Sequence, residues 1–157
     1  MLASLPKDLY YPLLTAFLIG AMVVLIPRRA LRTILPFALA FGGMGSLFIA
    51  LIFSTLLNLY YYTDYGPLHL FQIPVWLVLA WAPAMAVFLY FLPLENGRVW
   101  FWLYIVIFSA LSAGLGTILN NLGLLHYIHW SPIHRFILAF GLFYLTARLT
   151  PRENLFL

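Results

Sequence analysis

Long runs of apolar residues, separated by short polar segments, dominate the pattern along the chain. A helix needs about 20 apolar residues to cross the hydrocarbon core of a bilayer. Five stretches bounded by charge, Pro or Asn approach that length: Leu9 to Ile26, Ile34 to Leu59, Ile73 to Leu92, Val99 to Leu119 and Pro132 to Leu149. The pattern therefore predicts an all-α polytopic membrane bundle of about five transmembrane helices, forming a single domain over residues 1–157.

The fifth stretch differs from the others because it contains charges. Only Phe136 to Ala147 is free of charge, and at 1.5 Å per residue that segment reaches roughly 18 Å. The longer segment from Pro132 to Leu149 reaches roughly 27 Å. It can cross if Arg135 and Arg148 extend their long side chains to opposite interfaces. We therefore predict a span with both arginines at the membrane surface.

The basic residues of the loops predict the orientation. Cytoplasmic loops of membrane proteins carry the excess of Lys and Arg. An external N-terminus leaves Lys7 and Arg135 outside and places six arginines in the cytoplasm: Arg28, Arg29, Arg32, Arg98, Arg148 and Arg152. We predict an external N-terminus and a cytoplasmic C-terminus. The cytoplasmic basic patch of Arg28, Arg29 and Arg32 is explained by this bias, although a lipid headgroup or an acidic tail could also dock there.

The amino-acid composition excludes several classes of function for this chain. The chain is 65% hydrophobic and 8% charged, too little polar surface for a water-soluble globule. Topology explains the net charge of +4, so we expect lipid and not nucleic acid as a partner. The chain has no cysteine, which excludes disulfides and thiolate chemistry. The predicted spans contain no acidic residue near their centres, which argues against a proton or cation antiporter.

Small residues recur at helical spacing in two of the predicted spans. Such residues let helix backbones approach each other closely within a bilayer. The second span carries Ala38, Gly42, Ser46 and Ala50 at intervals of four, and the fourth carries Ser109, Ala113 and Gly116. We predict that the second and fourth helices pack closely. The same rows could instead hold two copies of the chain together.

The polar chemistry is concentrated in the two outer loops. All four histidines map there, together with one acid: Asp64, His69, His126, His129 and His134. If residues 122–130 form a short interfacial helix, His126 and His129 share a face. Neutral imidazoles so placed could bind a divalent metal, with Asp64 or His69 as a further ligand. They could equally be polar anchors at the interface. No recognised metal motif is present, so we predict a candidate outer-face site but no metal and no cofactor.

Three sequence segments carry a resemblance to a known group. They read P-R-R at positions 27–29, F-W-L-Y-I-V-I-F followed by I-L-N-N-L-G in the fourth span, and W-S-P-I-H-R-F at the entry to the last. In these segments and in its hydropathy and loop layout the chain resembles small multi-spanning membrane proteins of unknown function from endospore-forming bacteria. The resemblance covers most of the chain. It implies a bacterial cytoplasmic membrane, and it implies no catalytic or binding residue.

These observations favour a non-catalytic accessory or assembly subunit of a cell membrane that acts through helix–helix contacts. Its partners would be the bilayer and either other membrane subunits or a second copy of the chain. One alternative is an outward-facing metal-binding protein or membrane enzyme that uses the histidines of the outer loops. A second alternative is a small lipid or solute permease with a cavity beside Pro83, which interrupts the third span.

Overall fold

The structure is a computed structural model, and it describes residues 6–93 and 97–150. Five helices account for most of this part of the chain: α1 Tyr10–Leu25, α2 Arg28–Leu56, α3 Val75–Tyr90, α4 Arg98–Asn121 and α5 Pro132–Leu149. A short 3₁₀ turn, Lys7–Leu9, precedes α1. The predicted helical fold is confirmed, and the predicted bounds of the fifth helix agree with those of α5.

Within residues 6–93 and 97–150, three helices are long and apolar enough to cross a membrane. They are α1 with its preceding turn, 19 residues from Lys7 to Leu25, α2 with 29 residues and α4 with 24. Helix α3 is also apolar but has only 16 residues. The structure thus supports a membrane protein through the length and composition of these three helices.

Helix α2 begins earlier than predicted and is irregular. It starts at Arg28, directly after Pro27, and not at Ile34. Pro36 therefore lies inside the helix and not in its first turn. The predicted start was wrong because we placed the boundary at the last charge, whereas long arginine side chains can extend from a helix end into water. Two π-helical segments, Ala38–Met44 and Leu51–Leu56, follow the proline. Such segments disturb the regular hydrogen-bond ladder and are frequent at functional sites.

Helix α3 lies between two neighbours, α1 and the Ala38–Met44 segment of α2, whereas α4 packs along α5. Gly42 allows the close approach of α2 to α3. A Cβ at position 42 would lie 2.7 Å from Cβ of Met85 and would overlap the carbonyl of Trp81. The predicted close packing of the second and fourth helices is therefore wrong for the described residues. Small residues permit close approach, but they do not determine which helix approaches.

The two loops at one end of the bundle are joined by a short antiparallel ladder. Strand β1, Tyr60–Tyr62, follows α2 and pairs with β4, Leu125–Tyr127, which follows α4. A second small ladder pairs β2, His69–Leu70, with β3, Ile73–Pro74. Residues 122–130 therefore do not form the interfacial helix that would put His126 and His129 on one face, because the backbone of Leu125–Tyr127 pairs with β1.

Tyr11 ties α1 to both of these loops. Its side chain is fully buried, and its hydroxyl lies 2.6 Å from the carbonyl oxygen of Leu124 and 3.1 Å from that of Thr63. The Thr63 amide in turn donates to the Leu124 carbonyl at 3.0 Å. The outer loops and the first turn of α1 thus form one packed unit.

Candidate functional site

Arg135 is a buried cation at the start of α5. It lies in the first turn of that helix, and only 9% of the residue is exposed. Its side chain reaches α4, where Nε–H donates to the backbone carbonyl oxygen of Ser112 at 3.1 Å. The Arg135 side chain therefore packs against α4 and does not extend freely from the end of α5 as we had predicted. A cation placed inside a helical bundle is a candidate functional group by default.

Gly116 provides the space that Arg135 occupies. A Cβ at position 116 would lie 2.6 Å from Cδ and 2.8 Å from Nε of Arg135, and 2.7 Å from the hydroxyl of Tyr127. Real side chains do not approach so closely, so only glycine fits beside the arginine without a shift. Gly116 was predicted as a contact between helix backbones, and the structure places it against a charged side chain.

A cavity of about 60 Å³ lies beside Arg135. This volume exceeds what one water molecule requires. Its apolar wall includes Leu138, Ala139 and Phe143 of α5. Its polar wall contains six residues, from α2, β1, α4, the loop after β4 and α5: Ser46, Tyr60, Tyr62, Ser112, Trp130 and Arg135. The cavity can therefore hold a small polar group next to a hydrocarbon surface.

Arg135 has no acidic partner among the described residues. The only acids in this part of the chain are Asp8 and Asp64, and Asp64 lies 4.0 Å from the ammonium of Lys7. Removing a cation from water costs several kcal/mol unless an opposite charge compensates it. The position adds to this cost, because the N-terminal turn of a helix carries a partial positive charge. The protein thus maintains an uncompensated positive charge in this cavity.

The groups around Arg135 are neutral. Burial raises the pKa of Tyr60 above that of a free tyrosine, Tyr62 raises it further, and Arg135 partly opposes the shift. Burial likewise raises the pKa of Tyr127, again against the influence of Arg135. Both phenols therefore keep their protons near neutral pH. Among the described residues, the indole Nε1–H of Trp130 is buried without a hydrogen-bond partner. The buried hydroxyl of Tyr127 lies next to the Arg135 guanidinium, whose charge and hydrogen bonding favour the ionised form of the phenol. The site thus combines two groups that only donate, the guanidinium and the indole N–H, with hydroxyls that can donate or accept.

The predicted outer-face histidines lie against different aromatic rings. His126 stacks on Tyr61, with ring centroids 5.0 Å apart. His134 stacks on Trp130 at 5.3 Å, and its Nδ1 lies 2.7 Å from the hydroxyl of Ser131. His126 is half-buried and His134 is exposed, and neither of them lines the cavity beside Arg135.

The other three candidates of the outer face are also separate. His69 packs on Tyr65 at 4.7 Å, His129 is exposed, and Asp64 pairs with Lys7. Within residues 6–93 and 97–150, no three His, Asp or Glu side chains are arranged to hold a metal ion. The loops meet, but they do not bring these residues into one metal site.

The remaining predicted residues occupy two regions. Arg28, Arg29 and Arg32 are exposed at the start of α2, at the end of the bundle opposite β1 and β4. The small residues of α2 and α4 are buried or half-buried: Ala38, Gly42, Ser46, Ala50, Ser109, Ala113 and Gly116. Ser46 and Ala50 also line the cavity beside Arg135.

The sequence did not predict Arg135, Tyr60, Tyr62 or Trp130 as residues of a functional site. One signal was available. Arg135 interrupts an otherwise apolar span near its beginning, and an ionisable residue in such a position indicates a functional site unless its side chain reaches water. Sequence alone gives no direction for the side chain, because Gly116, which receives it, lies on another helix.

Comparison of the chain with protein-family models, with curated proteins and with solved structures gave no match. The function is therefore inferred from the geometry and chemistry of the residues around Arg135.

Proposed function

We propose that the chain is a non-catalytic integral membrane protein that binds other membrane components, and that the cavity beside Arg135 is where it binds. A buried, uncompensated cation next to a cavity is the observation that carries this proposal. Because the groups around Arg135 are hydrogen-bond donors and aromatic rings, they suit recognition of a bound group. The bound component would be a lipid, another subunit or a second copy of the chain.

We further propose five spans, with the N-terminus outside and the C-terminus in the cytoplasm. The pairing of β1 with β4 supports this arrangement, because it puts the loop after α2 and the loop after α4 at the same end of the bundle. The chain must then cross twice between them, as α3 and α4. The exposed arginines at the start of α2 support a cytoplasmic location for the opposite end.

Labelling of single introduced cysteines tests the orientation. No other residue of the chain contributes to the signal, because the natural chain has no cysteine. We expect Asp64→Cys and His129→Cys to react with a membrane-impermeant maleimide in intact cells. Arg29→Cys and Arg148→Cys should react only after permeabilisation. The opposite pattern would contradict the orientation, and external labelling of Arg148→Cys alone would show that α5 does not cross.

Co-extraction tests the binding role. We compare the wild type with an Ala139→Leu variant, whose larger side chain fills the cavity. Both are extracted from the membrane in polymer nanodiscs, which retain the surrounding native bilayer. Gly141→Leu is the matched control on the same helix, because nothing lies within 4 Å of a Cβ there. We expect a lipid or protein component that is enriched with the wild type and the control and lost with Ala139→Leu. Identical composition in all three samples would contradict a binding role for the cavity.

A further inference from the structure

We propose that the cavity beside Arg135 recognises a phosphate-type oxyanion, carried by the headgroup of an anionic lipid. This inference rests on the proposed binding role of the cavity and names the chemical class of its ligand. Three independent features of the site support it: the free donors of the guanidinium, the absence of an internal counter-charge and an apolar cavity next to the polar one.

The guanidinium retains most of its donor capacity. It has five N–H groups in a planar fork. The bond from Nε to the Ser112 carbonyl uses one of them, and the neighbouring Tyr127 hydroxyl can accept one more. A phosphate group offers paired oxygen acceptors that match such a fork with two parallel hydrogen bonds. The unpartnered indole N–H of Trp130 lies in the same wall and is a further donor for an oxyanion.

An oxyanion would also remove the electrostatic cost of the site. Asp8 and Asp64, the acids of the described part of the chain, form no ion pair with Arg135, and the surrounding hydroxyls are neutral. Anions are favourable near the N-terminal turn of a helix, where Arg135 itself is unfavourable. A bound anion would therefore be attracted both by the guanidinium and by the end of α5.

A second cavity indicates why a lipid is the favoured source of the oxyanion. A cavity of about 320 Å³ lies between α1, α3 and α4, and its wall is almost entirely apolar. Three residues, Trp81, Ser112 and Phe143, line both cavities, so the two cavities adjoin each other. Free phosphate uses only the polar cavity, whereas an anionic lipid provides hydrocarbon for the apolar surfaces as well.

Thermal unfolding of the delipidated full chain in neutral detergent tests this proposal. The added probes are phosphatidylglycerol, phosphatidylcholine with the same acyl chains, and inorganic phosphate. We expect phosphatidylglycerol to raise the unfolding midpoint of the wild type by roughly 5 °C at about 100 times its Kd. Phosphatidylcholine, which has no net charge, should give a smaller rise.

The substitution Arg135→Met should abolish the rise caused by phosphatidylglycerol. Arg148→Met is the matched control, because it removes an exposed arginine from the other end of the same helix. The control should keep the full rise in the unfolding midpoint. That result would exclude general attraction between basic residues and anionic lipid as the cause of the rise. An equal rise in Arg135→Met and the wild type, or no rise in the wild type, would overturn the proposal.

Inorganic phosphate separates the two sources of the oxyanion. Phosphate alone could raise the unfolding midpoint as much as the lipid does, through Arg135. That result would support the oxyanion site and identify free phosphate as its ligand. If Arg135→Met does not fold, Arg135→Lys replaces it, because lysine keeps the charge but lacks the fork. A reduced rise supports the proposal, and an unchanged rise overturns it. The proposed binding role would stand without the oxyanion proposal if co-extraction found a ligand whose binding does not depend on Arg135.

Discussion

Gly116 of α4 and Arg135 of α5 fit against each other, and a Cβ on residue 116 would lie only 2.6 Å from Cδ of the arginine. This contact holds the guanidinium inside the bundle, where Nε–H donates to the Ser112 carbonyl. The proposed binding cavity depends on that position, because an Arg135 side chain that extended to the membrane surface would leave the cavity without its charge.

Replacing Gly116 with Ala should displace Arg135 and destabilise the fold. The added Cβ would meet the ends of two flexible side chains, which can shift, so we expect a cost near the lower end of the roughly 1–3 kcal/mol that overpacking takes from the free energy of unfolding. Gly114→Ala is the control on the same helix, because nothing lies within 4 Å of a Cβ at that position. We expect thermal unfolding in detergent to show a loss for Gly116→Ala and no loss for Gly114→Ala. Equal stability of the two variants would contradict the close contact.

Replacing Gly42 with Ala should separate α2 from α3. The added Cβ would overlap the carbonyl of Trp81, and a backbone cannot move away as easily as the end of a flexible side chain. The neighbouring Gly43→Ala is the control, since its Cβ would meet Ala82 at an ordinary contact distance of 3.9 Å. We expect a lower unfolding midpoint only for Gly42→Ala. A lower midpoint for Gly43→Ala alone would place a different face of α2 against α3.

Replacing Tyr11 with Phe should loosen the outer loops. The substitution removes the hydroxyl that lies between the carbonyl oxygens of Thr63 and Leu124, and the loss of a buried hydrogen bond typically costs about 0.5–1.5 kcal/mol of the free energy of unfolding. Tyr90→Phe is the control, because no hydrogen bond of its hydroxyl is seen within the described residues. Hydrogen exchange should show faster exchange of the Thr63 amide in Tyr11→Phe only. Unchanged exchange would mean that Tyr11 does not hold the loops together.

The sequence was sufficient to predict the helices because the length of an apolar run is a local property. The bounds of α5 follow from Pro132, which begins the helix, and from the last apolar residues before Pro151. The start of α2 was not predictable from charge alone, because the arginines at its first positions belong to the helix.

The features that depend on distant segments were not predictable in the same way. Strands β1 and β4 have three residues each, too few for a periodic pattern, and each exists because it pairs with the other. The partner of the small-residue row in α2 is likewise set by the whole arrangement of helices. The direction of Arg135 depends on Gly116, which is 19 positions earlier in the chain and on another helix.

A double-mutant cycle between Gly116 and Arg135 tests most directly the claim that this arginine lies inside the bundle. The free energy of unfolding is measured for the wild type, Gly116→Ala, Arg135→Ala and the double variant. If the two residues are in contact, Gly116→Ala should cost less once the long side chain at position 135 is removed, with a coupling of about 1 kcal/mol or more. Strictly additive effects would show that the two residues do not meet, and would contradict a buried Arg135.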